Sequence, residues 1–366
     1  MKFILKRKNL IKSLIKVSGF VNNNIKLPIL NNILIQVNKN YLKFVGTNLK
    51  TEIIFMFLLK NNYSLGITTV SAKKFLYIWK SFSEEADILV KIDNNRLLIQ
   101  SGNSKYFLST LPYFHFPSFN NFKPEIQFNI KQSNLKRLIE LTQFSMAQND
   151  IRYYLNGTLL LIENNKIKTV TTDGSRLSVC SLALNKPISP YSVIIPRKSI
   201  LELTRMLEFN NNLVKVKISN IRIRINIDNY IFTSKLIEGS FPNYKYIVPK
   251  HINIRLKLNC QLFKQTLSRL IILSNKQFNN VKLFITFNKL KISTSNFEHE
   301  EAEEIIDILY EGNDLEINLN ANYVIDVLNV LKCDKIEVLF IDEFSIIQIL
   351  DCDNIKNIYI IMPIYM

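Results

Sequence analysis

The sequence predicts an α+β chain of three repeated units, and three observations carry that prediction. The chain matches itself: TTVSAKKFLYIWKSF (68–82) lies on VIIPRKSILELTRML (193–207) at an offset of 125, and EINLNANYVIDVLNVL (316–331) follows at a further 124. Each copy reads as a short strand running straight into an amphipathic helix. Each is preceded by another helix and a turned strand pair, and ends in further strands.

In the first unit KRKNLIKSLIKV predicts a helix with Leu10, Leu14 and Ile15 inward and Lys8, Lys12 and Lys16 outward. FVGTNLKTEI predicts a strand pair with a turn. In the next helix Phe75, Ile78, Trp79 and Phe82 fall at i, i+3, i+4, i+7, one buried face, with Lys73, Lys74 and Lys80 opposite. RLLIQSGNSKYFLSTL closes the unit as strands. The second unit repeats the order with KQSNLKRLIELT, VTTDGSRLSV, the second 15-residue match and RIRINIDNYIFTSKL. The third does so with NCQLFKQTLSRL, ISTSNFEHEEAEE, its own match and SIIQILDCDNIKNIYIIMPI. NFKPEIQF and YKYIVPKHIN read as linkers, which gives domains at 1–120, 128–244 and 245–366.

At 366 residues with nearly half of them hydrophobic, each domain can bury its own core. The formal charge of +17 points to a polyanion. Lys, Asn and Ile are crowded and Gly is scarce, however, as an AT-rich genome would impose on any protein, so charge placement must decide. Cys180, Cys260, Cys333 and Cys352 are widely spaced and form no C-x-x-C pair, which predicts buried free thiols in a reducing compartment. MKFILKRKNLIK lacks a signal-peptide core, and no apolar run approaches the roughly 18–20 residues of a membrane span. A soluble, cytoplasmic protein with no membrane partner is expected.

Catalytic chemistry finds little material. No phosphate-loop, dinucleotide-binding or nucleophile-elbow motif occurs. His115, His251 and His299 are scattered one per unit, so structural or surface roles are expected. The acidic run EHEEAEE (298–304) alternates faces on a strand and has no His or Asp at ligand spacing; a solvated face or a charge-complementary contact accounts for it. No metal and no cofactor is expected. TTDGSRL (171–177) could be a catalytic loop, but Asp-Gly between alternating apolar runs is a hairpin signal. The same turn recurs in the other units with unrelated residues, so it is structural, with the second copy specialised.

Basic residues are more telling. Lys136 and Arg137 on the third helix and Arg197, Lys198 and Arg205 on the fourth join the lysines of the first two. Several equivalent helices with basic outer stripes would track phosphates without reading bases.

At these residues the chain resembles the β sliding clamps, the processivity subunits of bacterial DNA polymerase III. The likeness covers essentially the whole sequence. It is carried by LPILNNILIQV, KYFLSTLP, RLIELTQFSMAQNDIRYYLNG, TTDGSRL, VIIPRK, FTSKLIEGSFPNY, EEAEEIIDI and YIIMPI. The resemblance implies three clamp-type domains per chain, with helices lining a central hole, antiparallel sheets outside, and a head-to-tail dimeric ring. It implies a non-catalytic tether for the replicative polymerase on double-stranded DNA. Partners would be the polymerase catalytic subunit and an ATP-dependent clamp loader, both bound through short peptide tails.

The DNA-contacting positions of that family fall here on Asn24, Lys73, Asn149, Tyr153 and Tyr154, with Lys12 or Lys26 standing in for the Arg that Asn24 replaces. The implied ring seam sets Lys74, Ile78, Phe82, Lys105, Tyr106 and Leu108 of one chain against Ile272 and Leu273 of the other. Glu298, Glu300, Glu301 and Glu304 would face the same basic edge, and Asn103 stands where an Arg is usual. The implied peptide groove between the second and third domains is walled by Leu155, Thr172, Gly174, Arg176 and Leu177. Its other side is Pro242, Ile247, Ile360, Met362 and Pro363. Ser175, Tyr246 and Tyr365 replace a usual His, Arg and Arg, so a drift in peptide preference is expected. Two rival readings are a metal-dependent DNA-processing enzyme using Asp173 or the 298–304 cluster, and a basic scaffold that binds nucleic acid as an open monomer.

Overall fold

The structure, a computed structural model, describes residues 1–21, 26–119, 122–184, 186–249, 252–275, 279–341, 346–352 and 357–364. Asn24, His251 and Tyr365 lie outside the described residues.

Each unit uses one element order: strand, helix, four strands, helix, three strands. The first comprises β1 (Lys2–Lys6), α1 (Arg7–Ser18), β2 (Asn32–Asn38), β3 (Tyr41–Thr47), β4 (Thr51–Leu58), β5 (Gly66–Ser71), α2 (Ala72–Ser81), β6 (Asp87–Asp93), β7 (Arg96–Ser101) and β8 (Ser104–Leu111). The second comprises β9 (Ile126–Lys131), α3 (Gln132–Glu140), β10 (Gly157–Glu163), β11 (Lys166–Thr172), β12 (Arg176–Ala183), β13 (Tyr191–Pro196), α4 (Arg197–Met206), β14 (Leu213–Ile218), β15 (Arg222–Ile227) and β16 (Tyr230–Lys235). The third comprises β17 (Ile254–Asn259), α5 (Cys260–Leu270), β18 (Asn280–Thr286), β19 (Lys289–Ser295), β20 (Glu301–Asp307), β21 (Leu315–Asn320), α6 (Ala321–Val330), β22 (Lys335–Phe340), β23 (Ile347–Asp351) and β24 (Ile358–Ile361). The repeated strand–helix junctions are thus those the sequence predicts.

Packing units do not follow the repeats. One compact body is Met1–Leu135 with Leu201–Leu236; the other is Lys136–Ile200 with Ile237–Met366. In the first body the last strand of the second repeat, β16, adds antiparallel to β4, with Phe232 opposite Ile53. In the second body the last strand of the third repeat, β24, adds to β12, with Ile360 opposite Leu177. Backbone ladders therefore join successive repeats, a link no local pattern announces.

The helices seat as amphipathic faces. Phe75 and Trp79 on α2 are fully buried, each stabilising the fold by roughly 1.5–3 kcal/mol through burial. Ile78 and Phe82 are only half-buried; Phe82 lies beyond the helix, which stops at Ser81, and turns extended. On α1 the buried residues are Leu10, Ser13, Leu14 and Val17; Ile15, expected inward, faces out, because Val17 and not Ile15 completes the i, i+3/i+4, i+7 stripe from Leu10. The abundant Asn has a structural use. Asn94-Asn95 and Asn164-Asn165 both carry positive φ in two-residue hairpin turns, a conformation Asn tolerates better than most residues. Among the four cysteines, Cys180, Cys260 and Cys333 are buried, but Cys352 is exposed, contrary to expectation. Burial pushes the Cys180 thiol up to about 12, leaving it inert at neutral pH.

Candidate peptide groove and nucleic-acid face

TTDGSRL is a hairpin turn stapled by side chains. β11 and β12 pair until Thr172 meets Leu177. Asp173 Oδ1 then accepts the N–H groups of Ser175 (3.0 Å) and Arg176 (3.1 Å), while its Oδ2 accepts from Arg176 Nε at 2.9 Å. Thr172 Oγ1 accepts from Gly174 N and donates to Arg176 O. The Asp173 carboxylate, one of the two metal candidates beside the 298–304 cluster, is engaged by the turn. Among the described residues no group of three or more His, Cys, Asp or Glu side chains is arranged to hold a metal ion.

Met362 N donates to Ser175 O at 2.9 Å, so the C-terminal strand runs on past β24 along the turn. An apolar cluster fills the space beside it: Leu159, Val170, Leu177, Val179, Ile194, Tyr244 and Ile360, with Tyr154 and Ile247 packed against it. The residues expected at the groove divide by burial: Leu155, Thr172, Leu177, Ile360 and Pro363 are buried, Gly174, Pro242 and Met362 are exposed, and Ile247 lies between. Tyr246 and Ser175 are both exposed.

Arg176 has a role the sequence did not disclose. Its Nη1 lies 2.6 Å from Asp326 Oδ2, its Nη2 donates to Phe144 O at 2.8 Å, and its guanidinium lies over the Tyr323 ring at 4.4 Å. The charge is committed within the fold. Arg152, not anticipated, sits beside Gly174 and is gripped by Asp150 through Nε (3.1 Å) and Nη2 (2.9 Å). Its nearest neighbour in sequence gave no such signal; an Asp two residues before an Arg is too common to read.

The basic positions sort by what already holds them. Lys12 on α1, Lys73, Lys74 and Lys80 on α2, and Arg205 on α4 are exposed. Lys8 pairs with Glu85 at 2.6 Å, Lys16 with Glu208 at 3.6 Å, and Lys136 with Glu140 at 3.9 Å, so these are less available to phosphates than their spacing suggested. Arg197 is half-buried and donates to Met146 O at 2.8 Å; Lys198 beside it is exposed. Asn149 is exposed with positive φ, and Tyr153 is exposed on the 3-10 turn Tyr153–Leu155. Tyr154 turns instead into the apolar cluster around Leu177 and Ile360.

The residues expected at the seam lie on and just after α2, on β8, on the turn Ile271–Leu273 and in the acidic run. Along β8, Lys105 and Tyr106 are exposed and Leu108 is buried; Phe82 meets Tyr106 edge-on at 5.9 Å. Ile272 is 75% exposed on the turn Ile271–Leu273, and Leu273 is half-buried. In the acidic run, Glu304 is already held by Arg269 (2.6 Å to Oε1) and Thr266, and Glu303 by Lys291. Glu298, Glu300 and Glu301 make no ion pair among the described residues.

Family models of the DNA polymerase III beta subunit match the chain along its length: the N-terminal domain at residues 1–120, the central domain at 129–243 and the C-terminal domain at 245–365. The beta sliding clamp of Escherichia coli (strain K12) is 43% identical over 363 residues, 99% of each chain. That of Vibrio cholerae is 38% identical over 364 residues and all of both chains. Among solved structures, the DNA polymerase III subunit beta from Pseudomonas aeruginosa superposes with a TM-score of 0.98 at 36% identity, covering both chains completely.

Proposed function

Because the chain belongs to the DNA polymerase III beta subunit family, the beta sliding clamps, we propose that two copies close head to tail into a ring that encircles double-stranded DNA and tethers the replicative polymerase. One observation carries the ring. In the first body β16 lies on β4, and in the second β24 lies on β12, so the last strand of one repeat covers the open edge of the repeat before it. Two counterparts are left over. β8 meets β5 only at its final residues, and β20 is a sheet edge. At the offset of 125, Phe107 on β8 stands where Phe232 stands on β16. Phe232 is fully buried in its ladder; Phe107 is 46% exposed. An apolar residue exposed on an open edge is what a missing ladder partner leaves behind.

β8 and β20 cannot both be covered by a symmetric like-with-like contact. Pairing β8 of one copy with β20 of the next is heterologous, and closure after two copies gives a ring and not a filament. Lys74 and Lys105 then face Glu298, Glu300 and Glu301, with Ile78, Phe82, Tyr106 and Leu108 against Ile272 and Leu273. Exposed ion pairs contribute about 0–1 kcal/mol each, so the ladder and the apolar contacts hold the seam. Glu304 adds little across it, since Arg269 already neutralises its charge.

Encirclement removes the need for tight contacts. Lys12, Lys73, Lys198, Arg205 and Tyr153 supply sequence-independent attraction to phosphates, which permits sliding. The groove of Leu155, Leu177, Ile247, Ile360 and Met362 suits a peptide with an apolar anchor. Its occupants would be the peptide tails of the polymerase catalytic subunit and of an ATP-dependent loader that opens the ring. No described helix is long and apolar enough to cross a membrane, which accords with action in the cytoplasm.

Electron-microscopic class averages of the purified chain test the ring. Two-fold closed particles with an opening wider than a B-form duplex are expected. Open monomers or linear filaments as the sole species would refute the closure.

A further inference from the structure

The offset that relates the first two repeats places a counterpart of the peptide groove in the first body. Leu34, Val45 and Ile54 stand where Leu159, Val170 and Val179 stand, and Phe116 and Phe119 where Phe241 and Tyr244 stand. That counterpart is a cavity of about 720 Å³, within the range of sites that enclose drug-sized ligands. Leu34, Val45 and Phe116 form its apolar floor, with Ile54 and Ile67 packed against them. Tyr113 and Phe114 are exposed on its rim.

One substitution changes its chemistry. Glu52 occupies the place of Leu177 and is 2% exposed. Its Oε2 accepts the Phe119 N–H at 3.0 Å, while Arg224 Nη2 donates to Phe119 O at 3.1 Å. The two side chains thus clamp both backbone groups of Phe119 and hold the wall of the cavity in place. Lys43 also lines the cavity and makes no hydrogen bond or ion pair with the described residues. Burial raises the Glu52 carboxyl above its ordinary value against the opposing pull of the Phe119 N–H, Lys43, Arg224 and Arg222. Two cations, Lys43 and Arg224, line the cavity against the one buried carboxylate and leave it with surplus positive charge.

We infer that this cavity is a second peptide-docking site, which takes a segment bearing one apolar side chain next to a carboxylate. The apolar side chain seats on Leu34, Val45 and Phe116, and the carboxylate meets Lys43. Glu52 excludes the purely apolar anchor that suits the first groove, because a desolvated carboxylate at that position needs polar company. The ligand class rests in part on the reading of the first groove as a peptide site; the charge preference is the cavity's own.

Photo-crosslinking of the full chain tests this, with three short peptides in which a diazirine leucine precedes phenylalanine. One carries an internal Glu and a C-terminal amide, one has Gln in its place, and one has Gln with a free C-terminal carboxylate. Labelling of 113–119 or of β2–β4 by either acidic peptide is expected, and identifies which carboxylate serves. It should fall about tenfold with the amidated Gln peptide and in Lys43→Met, in line with loss of one charged hydrogen bond. Labelling confined to 242–247 and 358–363 overturns the second site while leaving the first groove standing. Labelling at neither place overturns both. Labelling of the cavity that ignores Lys43→Met overturns the carboxylate assignment.

Discussion

Arg176 and Asp326 form an ion pair of 2.6 Å that ties the groove hairpin to helix α6. The Arg176 side chain is 11% exposed, and the same guanidinium holds Asp173 and the Phe144 carbonyl. Arg176→Leu leaves these acceptors without their donor, so a loss of about 2–3 kcal/mol is expected, read as a lower midpoint in urea unfolding. Unchanged stability together with weaker peptide binding would show that Arg176 serves the ligand and not the fold.

Gly174 has φ of +99°, and a Cβ there would lie 3.0 Å from Arg152 Nη2. Gly174→Ala must either strain the turn or push Arg152 aside, at a cost of about 1 kcal/mol or more. Peptide affinity at the groove should fall while thermal unfolding shifts only slightly. Full affinity in a titration with a labelled peptide would mean the turn is no part of the wall.

Glu52 gives a pH signature with a definite sign. Its folded pKa is raised from 4.5, first by burial. A carboxyl that binds its proton more tightly when folded contributes stability that is full below the unfolded value and declines as pH rises through the folded one. Glu52→Gln keeps an acceptor for the Phe119 N–H and has no charge to bury. Urea unfolding at a series of pH values from 4.5 upward should show the variant gaining on the parent across that window. Parallel curves would contradict the burial cost.

Ile272 is 75% exposed and Leu273 half-buried, so both can carry charge with little damage to the third repeat. Ile272→Asp with Leu273→Asp should sediment as monomer at concentrations where the parent is dimeric. A surviving dimer would place the seam elsewhere.

Much of the fold was legible because the repeat and the amphipathic helices are local signals. Phe75 and Trp79 announce their burial by spacing alone, and Asp173-Gly174 announces its turn. The ladders β4–β16 and β12–β24 were not legible, since strand partners far apart in sequence share no pattern. Nor was the commitment of Arg176: an Arg reads alike whether it awaits a ligand or holds Asp326. Only the second half of the acidic run, from Glu301, lies on a strand; Glu298 to Glu300 precede it in a turn with His299 at positive φ. The pairing of Glu304 to Arg269 needed the fold, which brings α5 against β20. Ile15 misled because one apolar residue beside a stripe looks like a member of it. In the basic stripes, spacing placed Lys8, Lys12 and Lys16 on one side of α1 but could not tell which acids would claim two of them.

Retention on circular against linear duplex DNA tests encirclement most directly. After loading, the chain should stay on a closed circle at a salt concentration that abolishes ordinary phosphate binding, and leave within one round of cutting. Equal retention on cut and uncut DNA would contradict a ring held by topology.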